Sequence, residues 1–90
     1  MSEMEKMWAA LESHQTIADK LGYGKAWASM CSERTAKAAN AARSAAWAAA
    51  EAAGAAAWAA WDAAGAAARS NEYAKQAIDY ITKANQGEQA

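Results

Sequence analysis

The sequence predicts an all-α protein: a helical hairpin or three-helix protomer with one long alanine-rich central helix, assembling into a helical-bundle homo-oligomer. Three observations predict it. No proline occurs in the 90 residues, and alanine, the strongest helix former, fills the centre of the chain. β-Branched residues are too scarce for a sheet, and valine is absent. Bulky apolar side chains are few: Leu11, Leu21, Ile17, Ile78 and Ile81, with four Met, five Trp and no Phe. Burying a Leu-sized side chain is worth roughly 1.5–3 kcal/mol and a methyl far less. A small chain of this kind needs help from a partner, most simply a second copy.

The chain reads as a single helical domain, 1–90. Its first helix is expected over about 3–21. Ser2 followed by Glu5 makes a capping box, and Glu3 favours the positive helix start. Met4, Met7, Leu11, His14, Ala18 and Leu21 then recur at spacings of three and four, with Trp8 and Ile17 beside the stripe. His14, the lone histidine, is read as a seam residue half in contact with solvent. Gly22 or Gly24 is available for the left-handed C-cap.

A long helix over about 25–69 follows, because no strong stop intervenes and an interior glycine costs only about 1 kcal/mol relative to alanine. Unbroken, it would span nearly 70 Å at about 1.5 Å per residue. Ser70, Asn71 and Glu72 suit the start of a shorter helix over about 72–85, with Tyr73, Ala77, Tyr80 and Ala84 at helical spacing. Asn85, Gln86 and Gly87 then close it and leave a tail, 86–90.

The central run carries a repeat. Residues 36–68 hold 22 alanines in 33, and the exceptions are ordered. Trp47, Glu51 and Gly54 recur as Trp58, Asp62 and Gly65, an offset of eleven residues, or three turns at about 3.67 per turn. On one continuous helix, Gly54, Trp58, Trp61 and Gly65 would all fall within roughly 40° of Trp47, with Glu51 and Asp62 alongside. The opposite half, from 47 to 68, is alanine throughout. Trp47, Glu51, Gly54, Trp58, Trp61, Asp62 and Gly65 are therefore the candidate interface, to a partner or to another copy. Glu51 and Asp62 are expected to meet basic groups or indole N–H donors on a neighbour.

Charge is uneven although the net charge is only -1. Residues 1–19 are acidic and 20–43 basic, which suggests that the first helix pairs with the start of the second. The alternative is an anion site on Lys25, Arg34, Lys37 and Arg43 for a nucleotide phosphate, with an aromatic ring against the base. Gly22-Tyr23-Gly24-Lys25 lacks the spacing of a phosphate-binding loop. Near-neutral charge gives no push toward nucleic acid or membrane. The weakly apolar run 45–61, centred on Glu51, does not read as a membrane span. Cys31 stands alone, with no third group to orient a Cys–His pair, and the carboxylates show neither acid–base pairing nor metal-ligand spacing. No enzyme activity, metal or cofactor is expected. The single cysteine and the absence of a signal-like apolar segment at the start point to the cytoplasm.

The stretch from Ser44 to Ala64, with Trp47, Glu51, Gly54, Trp58, Trp61 and Asp62 set among alanines, resembles Ala/Trp-repeat segments of small bacterial and bacteriophage accessory proteins of immunity type. That resemblance implies a binding role, in the host cytoplasm if the chain is phage-encoded. The Ala-rich eleven-residue rhythm also resembles helical antifreeze proteins, although Thr16, Thr35 and Thr82 are out of the register such an ice face needs. The leading expectation is a non-catalytic homo-oligomeric protein that binds, and inhibits or neutralises, another protein. The rivals are a sponge for a small anionic nucleotide formed between protomers, and an ice-binding protein using the alanine face.

Overall fold

A computed structural model describes residues 2–69 and 73–89. Among them the chain is all-helical: α1 (Glu3–Glu12), α2 (Gln15–Leu21), α3 (Gly24–Glu33), α4 (Ala36–Ala53), α5 (Ala55–Arg69) and α6 (Ala74–Gln89). The expected caps at 70–72 lie outside the described residues.

α1 begins at the capping box. The Glu5 N–H donates to Ser2 Oγ at 3.1 Å, and Ser2 O–H donates to Glu5 Oε1. The helix was expected to reach residue 21 but stops at Glu12. The Leu11 carbonyl accepts from the His14 N–H, three residues on, and from the Trp27 indole N–H at 2.7 Å. An indole from α3 thus takes up a carbonyl that the next helical turn would have used, and the chain bends at Ser13–His14. α2 ends at Gly22, which takes the left-handed cap at φ 99°. Gly24 instead opens α3 against Asp19, where a Cβ would stand 2.7 Å from the Asp19 Cα.

The single long helix over 25–69 is not observed. It is cut twice, and the longest dimension of the fold is 33 Å. Arg34 adopts a left-handed conformation (φ 54°, ψ 39°) and ends α3; Thr35 then caps α4, its Oγ1 accepting from the Ala38 N–H at 3.1 Å. Local bonds hold the unfavourable Arg34 backbone: its Nε donates to the Cys31 carbonyl and its Nη2 to Glu12 Oε1 at 3.1 Å. That ion pair joins the acidic first helix to the basic segment, in line with the charge pattern. The second cut is Gly54, at φ 81° and ψ -146°, a combination essentially closed to any residue with a Cβ.

Gly54 reverses the chain. Arg43 lies against Gly65, and both are eleven residues from Gly54; Trp47 and Trp61, each seven residues away, border one groove. α4 and α5 are therefore an antiparallel hairpin. α6 returns along α5, with Tyr80 and Gln76 beside Asp62 and Gly65. It also packs on α1, while α3 packs on α4. The last helix continues through the expected tail to Gln89, since one interior glycine costs only about 1 kcal/mol and Asn85 is anchored by its side chain.

The core has two parts. Around α1–α3 the fully buried bulk is Met7, Leu11, His14, Tyr23, Trp27 and Met30. His14 is not the half-wet seam residue its spacing suggested: it is 0% exposed. Its ring lies 5.0 Å from Trp27 and 5.8 Å from Tyr23 between centroids. Nδ1 is 2.8 Å from Asn85 Oδ1 and Nε2 is 2.6 Å from the Tyr23 hydroxyl. Because the Asn85 amide donates to Ser13 Oγ, its carbonyl oxygen faces the ring. His14 Nδ1–H therefore donates to Asn85, and in the neutral form of the ring Nε2 is the acceptor for Tyr23 O–H. The second part is alanine: Ala39, Ala42, Ala46 and Ala50 of α4 meet Ala57, Ala60, Ala63 and Ala64 of α5, with Ala74, Ala77, Ile81 and Ala84 of α6 beyond.

Two outcomes follow. Gly54→Ala should lose about 1–3 kcal/mol in chemical denaturation, because the turn forces a Cβ into a glycine-only conformation. His14→Phe should fill the site yet lose about 2–4 kcal/mol, because Asn85 and Tyr23 each lose a buried partner.

Candidate functional site

The residues singled out by the repeat are divided between the two arms of the α4–α5 hairpin. Trp47 and Trp58 are 50% and 42% exposed, while alanines of the same helices are buried. Trp61 is half-buried and stands edge-on to Trp58, with centroids 6.0 Å apart. A groove of about 250 Å³ runs between Arg43 and Ser44, Trp47 and Trp61. Alanine thus supplies close approach inside the hairpin, and the indoles are left on its outer side. Of the methyl face on which an ice-binding role would depend, the α5 part (Ala56, Ala60, Ala63, Ala64 and Ala66) is buried, whereas Ala48 and Ala52 of α4 are exposed.

Glu51 is exposed on α4 and borders neither cavity on this side of the hairpin. Asp62 is half-buried and, among the described residues, makes no ion pair or hydrogen bond to a basic group or an indole. The expected carboxylate–indole ladder does not form within one chain, because Gly54 turns its two copies in opposite directions.

Gly65 has a different task from Gly54. A Cβ on Gly65 would sit 3.2 Å from Arg43 Nε and 3.4 Å from its Cδ, so the missing side chain admits the arginine. The Arg43 guanidinium carbon lies 4.4 Å from the Trp61 ring centroid, a cation–π contact worth about 0.5–2 kcal/mol. Arg43 Nε is buried and has no hydrogen-bond partner among the described residues, an omission that ordinarily costs about 1–3 kcal/mol and more for a charged group. Arg43 also borders a small pocket of about 70 Å³, together with Trp61, Asp62, Arg69, Gln76 and Tyr80. Arg69 rests on the Tyr73 ring at 5.6 Å.

The anion set proposed from charge, Lys25, Arg34, Lys37 and Arg43, is not gathered in one place. Arg34 pairs with Glu12 and lies over Trp8 at 5.7 Å. Lys37 is exposed in the first turn of α4. Lys25 borders a wide groove of about 700 Å³ between α1–α2 and α3, where its neighbours are Glu12, Gln15, Asp19, Cys31 and Ser32. Only Arg43 reaches the pocket beside Trp61. Its cationic companion there is Arg69; Gln76 and Tyr80 come from α6. Sequence reasoning missed these three as site residues, because only the two successive chain reversals bring them to Arg43.

Cys31 lies at the base of the wide groove with its thiol pushed up to about 11, first by burial and then by Glu12, against the smaller opposite pull of Arg34. At neutral pH it is a thiol rather than a thiolate and a poor nucleophile. Among the described residues no group of three or more His, Cys, Asp or Glu is placed to hold a metal ion, and no helix is long and apolar enough to cross a membrane. Scans of protein-family models, of curated proteins and of solved structures each returned no match.

The thiol makes stability depend on pH in one direction. The folded chain holds the Cys31 proton up to about 11, whereas the unfolded chain gives it up near 9.0. The contribution is fully present below about 9 and is lost as pH rises through about 11. Denaturation midpoints of Cys31→Ala and the parent chain should therefore converge between those values. The same thiol should react with an aromatic disulfide reagent much more slowly in the native than in the unfolded chain.

Proposed function

We propose that this chain is a non-catalytic helical binding protein that pairs with itself through the tryptophan side of the α4–α5 hairpin and, so assembled, binds and neutralises another protein. The carrying observation is the exposure of Trp47 and Trp58 on a hairpin whose inner face is alanine. Large aromatics left at a surface are the usual anchors of interfaces, and Trp is enriched there. Both charge signs flank them: Arg43 on one arm, with Glu51 and Asp62 nearby in the repeat. A two-fold interface sets the same patch against itself, so a patch carrying both signs is self-complementary. The few bulky residues in the core give a further reason for association. The accessory role is the one implied by the likeness to Ala/Trp-repeat proteins of immunity type. A single buried free cysteine suits a reducing compartment such as the cytoplasm.

Sedimentation and light scattering of the full chain from micromolar to millimolar concentration test the self-association. The parent should shift from monomer toward a closed oligomer. A double variant, Trp47→Ala with Trp58→Ala, should stay monomeric with an unchanged helical spectrum. A parent chain that is monomeric throughout that range defeats the proposal.

A further inference from the structure

The small pocket between α4, α5 and α6 has the composition of a ligand site, and it is complete within one chain. Arg43 enters from α4 and is held on two sides. The Trp61 ring lies 4.4 Å from the guanidinium carbon, and Gly65 offers bare backbone where a Cβ would stand 3.2 Å from Nε. A guanidinium fixed in this way has lost its conformational freedom before any ligand arrives, the usual condition for selective binding. Its Nε is buried without an acceptor. Arg69 borders the same pocket, and neither arginine forms an ion pair with a carboxylate among the described residues. Tyr80 and Gln76 add a hydroxyl and an amide able to donate. Asp62 is the one acidic side chain bordering it among the described residues, so their balance is positive.

We propose that this pocket is an oxyanion site that takes a single phosphate or carboxylate group. Guanidinium groups present planar forks of N–H donors suited to these anions. The volume, about 70 Å³, has room for a small headgroup, since a water molecule occupies about 30 Å³ of liquid. Arg43 and Trp61 are also walls of the neighbouring Trp47 groove. The site requires neither a second protomer nor the basic residues Lys25, Arg34 and Lys37.

The test is a titration of the full chain with sodium phosphate and, separately, sodium acetate, at constant ionic strength set with sodium chloride. Nitrogen-15 spectra report the Arg43 Nε–H and the Trp61 indole N–H directly. Either anion should move both signals along a saturable curve. Saturation by phosphate alone marks a phosphate pocket, and saturation by acetate marks a carboxylate pocket; both outcomes support the site. Arg43→Lys, which keeps the charge but removes the Nε–H and the planar fork, should weaken binding about tenfold. Asp62→Asn should tighten it about tenfold by removing the one opposing charge. Binding should survive in the Trp47→Ala, Trp58→Ala double variant, which separates this inference from self-association. Shifts that grow linearly with either salt and never saturate overturn it. Saturable shifts unchanged in both Arg43→Lys and Asp62→Asn, each checked for native helicity, overturn it as well.

Discussion

His14 is the point at which the two ends of the chain are locked together. Its ring is sealed from solvent against Tyr23 and Trp27, and its Nδ1 bonds Asn85 of α6, 71 residues away in sequence. The Asn85 amide continues to Ser13 at the bend between α1 and α2. A buried polar network of this kind adds little net stability, because its groups were solvated before folding. It contributes definition, since any other placement of α6 would leave an imidazole, an amide and a phenol competing for partners in a dry interior. That definition matters here because the rest of α6 packs chiefly on small side chains. Alanine surfaces have shallow relief and discriminate poorly between registers a turn apart, so polar pins must select one.

The same requirement explains the division of the core. Bulk is concentrated in α1–α3, where Met7, Leu11, Tyr23, Trp27 and Met30 fill the space between short helices that meet at sharp bends. α4, α5 and α6 lie beside one another and bury rows of methyl groups instead. Small residues sacrifice hydrophobic area per side chain but permit close contact between backbones, where many weak dispersion contacts accumulate. Arg43 is the register pin of the α4–α5 hairpin, as His14 is of the α1–α6 contact. It fits only where Gly65 leaves space and Trp61 offers a ring face.

Helicity, the Ser2–Glu5 cap and a glycine stop at Gly22 or Gly24 were legible in the sequence because each is decided within a few residues. The breaks were not. The bend at Ser13 depends on an indole from Trp27, sixteen positions from the Leu11 carbonyl it occupies. Thr35 is an ordinary N-cap residue that could have been noticed, but Arg34 ahead of it carries no signal for a left-handed backbone; its stability there comes from Glu12 and the Cys31 carbonyl. Gly54 and Gly65 occupy the same place in the eleven-residue repeat, so the local pattern gives no reason for one to turn the chain and the other to remain inside a helix. For the candidate site, the repeat singled out Trp47, Trp58, Trp61, Asp62 and Gly65 by their departure from alanine. It could not bring in Arg69, Gln76 and Tyr80, whose positions depend on two chain reversals.

Those reversals also change the meaning of the repeat. On a straight helix, an eleven-residue period aligns equivalent positions on one side. Folded at Gly54, the same period matches positions across the hairpin: Arg43 and Gly65 are each eleven residues from the turn and touch. The spacing that would have made a ladder of indoles along one rod instead brings an arginine to a glycine between two antiparallel helices. Trp61 is then drawn over the guanidinium, while Trp47 and Trp58, with no such partner, remain at the surface. The protein's two distinctive features, a pair of exposed indoles and a half-buried arginine whose Nε is buried without a partner among the described residues, thus share a geometric origin. Both arise because one glycine of the repeat leaves the helical conformation and the other does not.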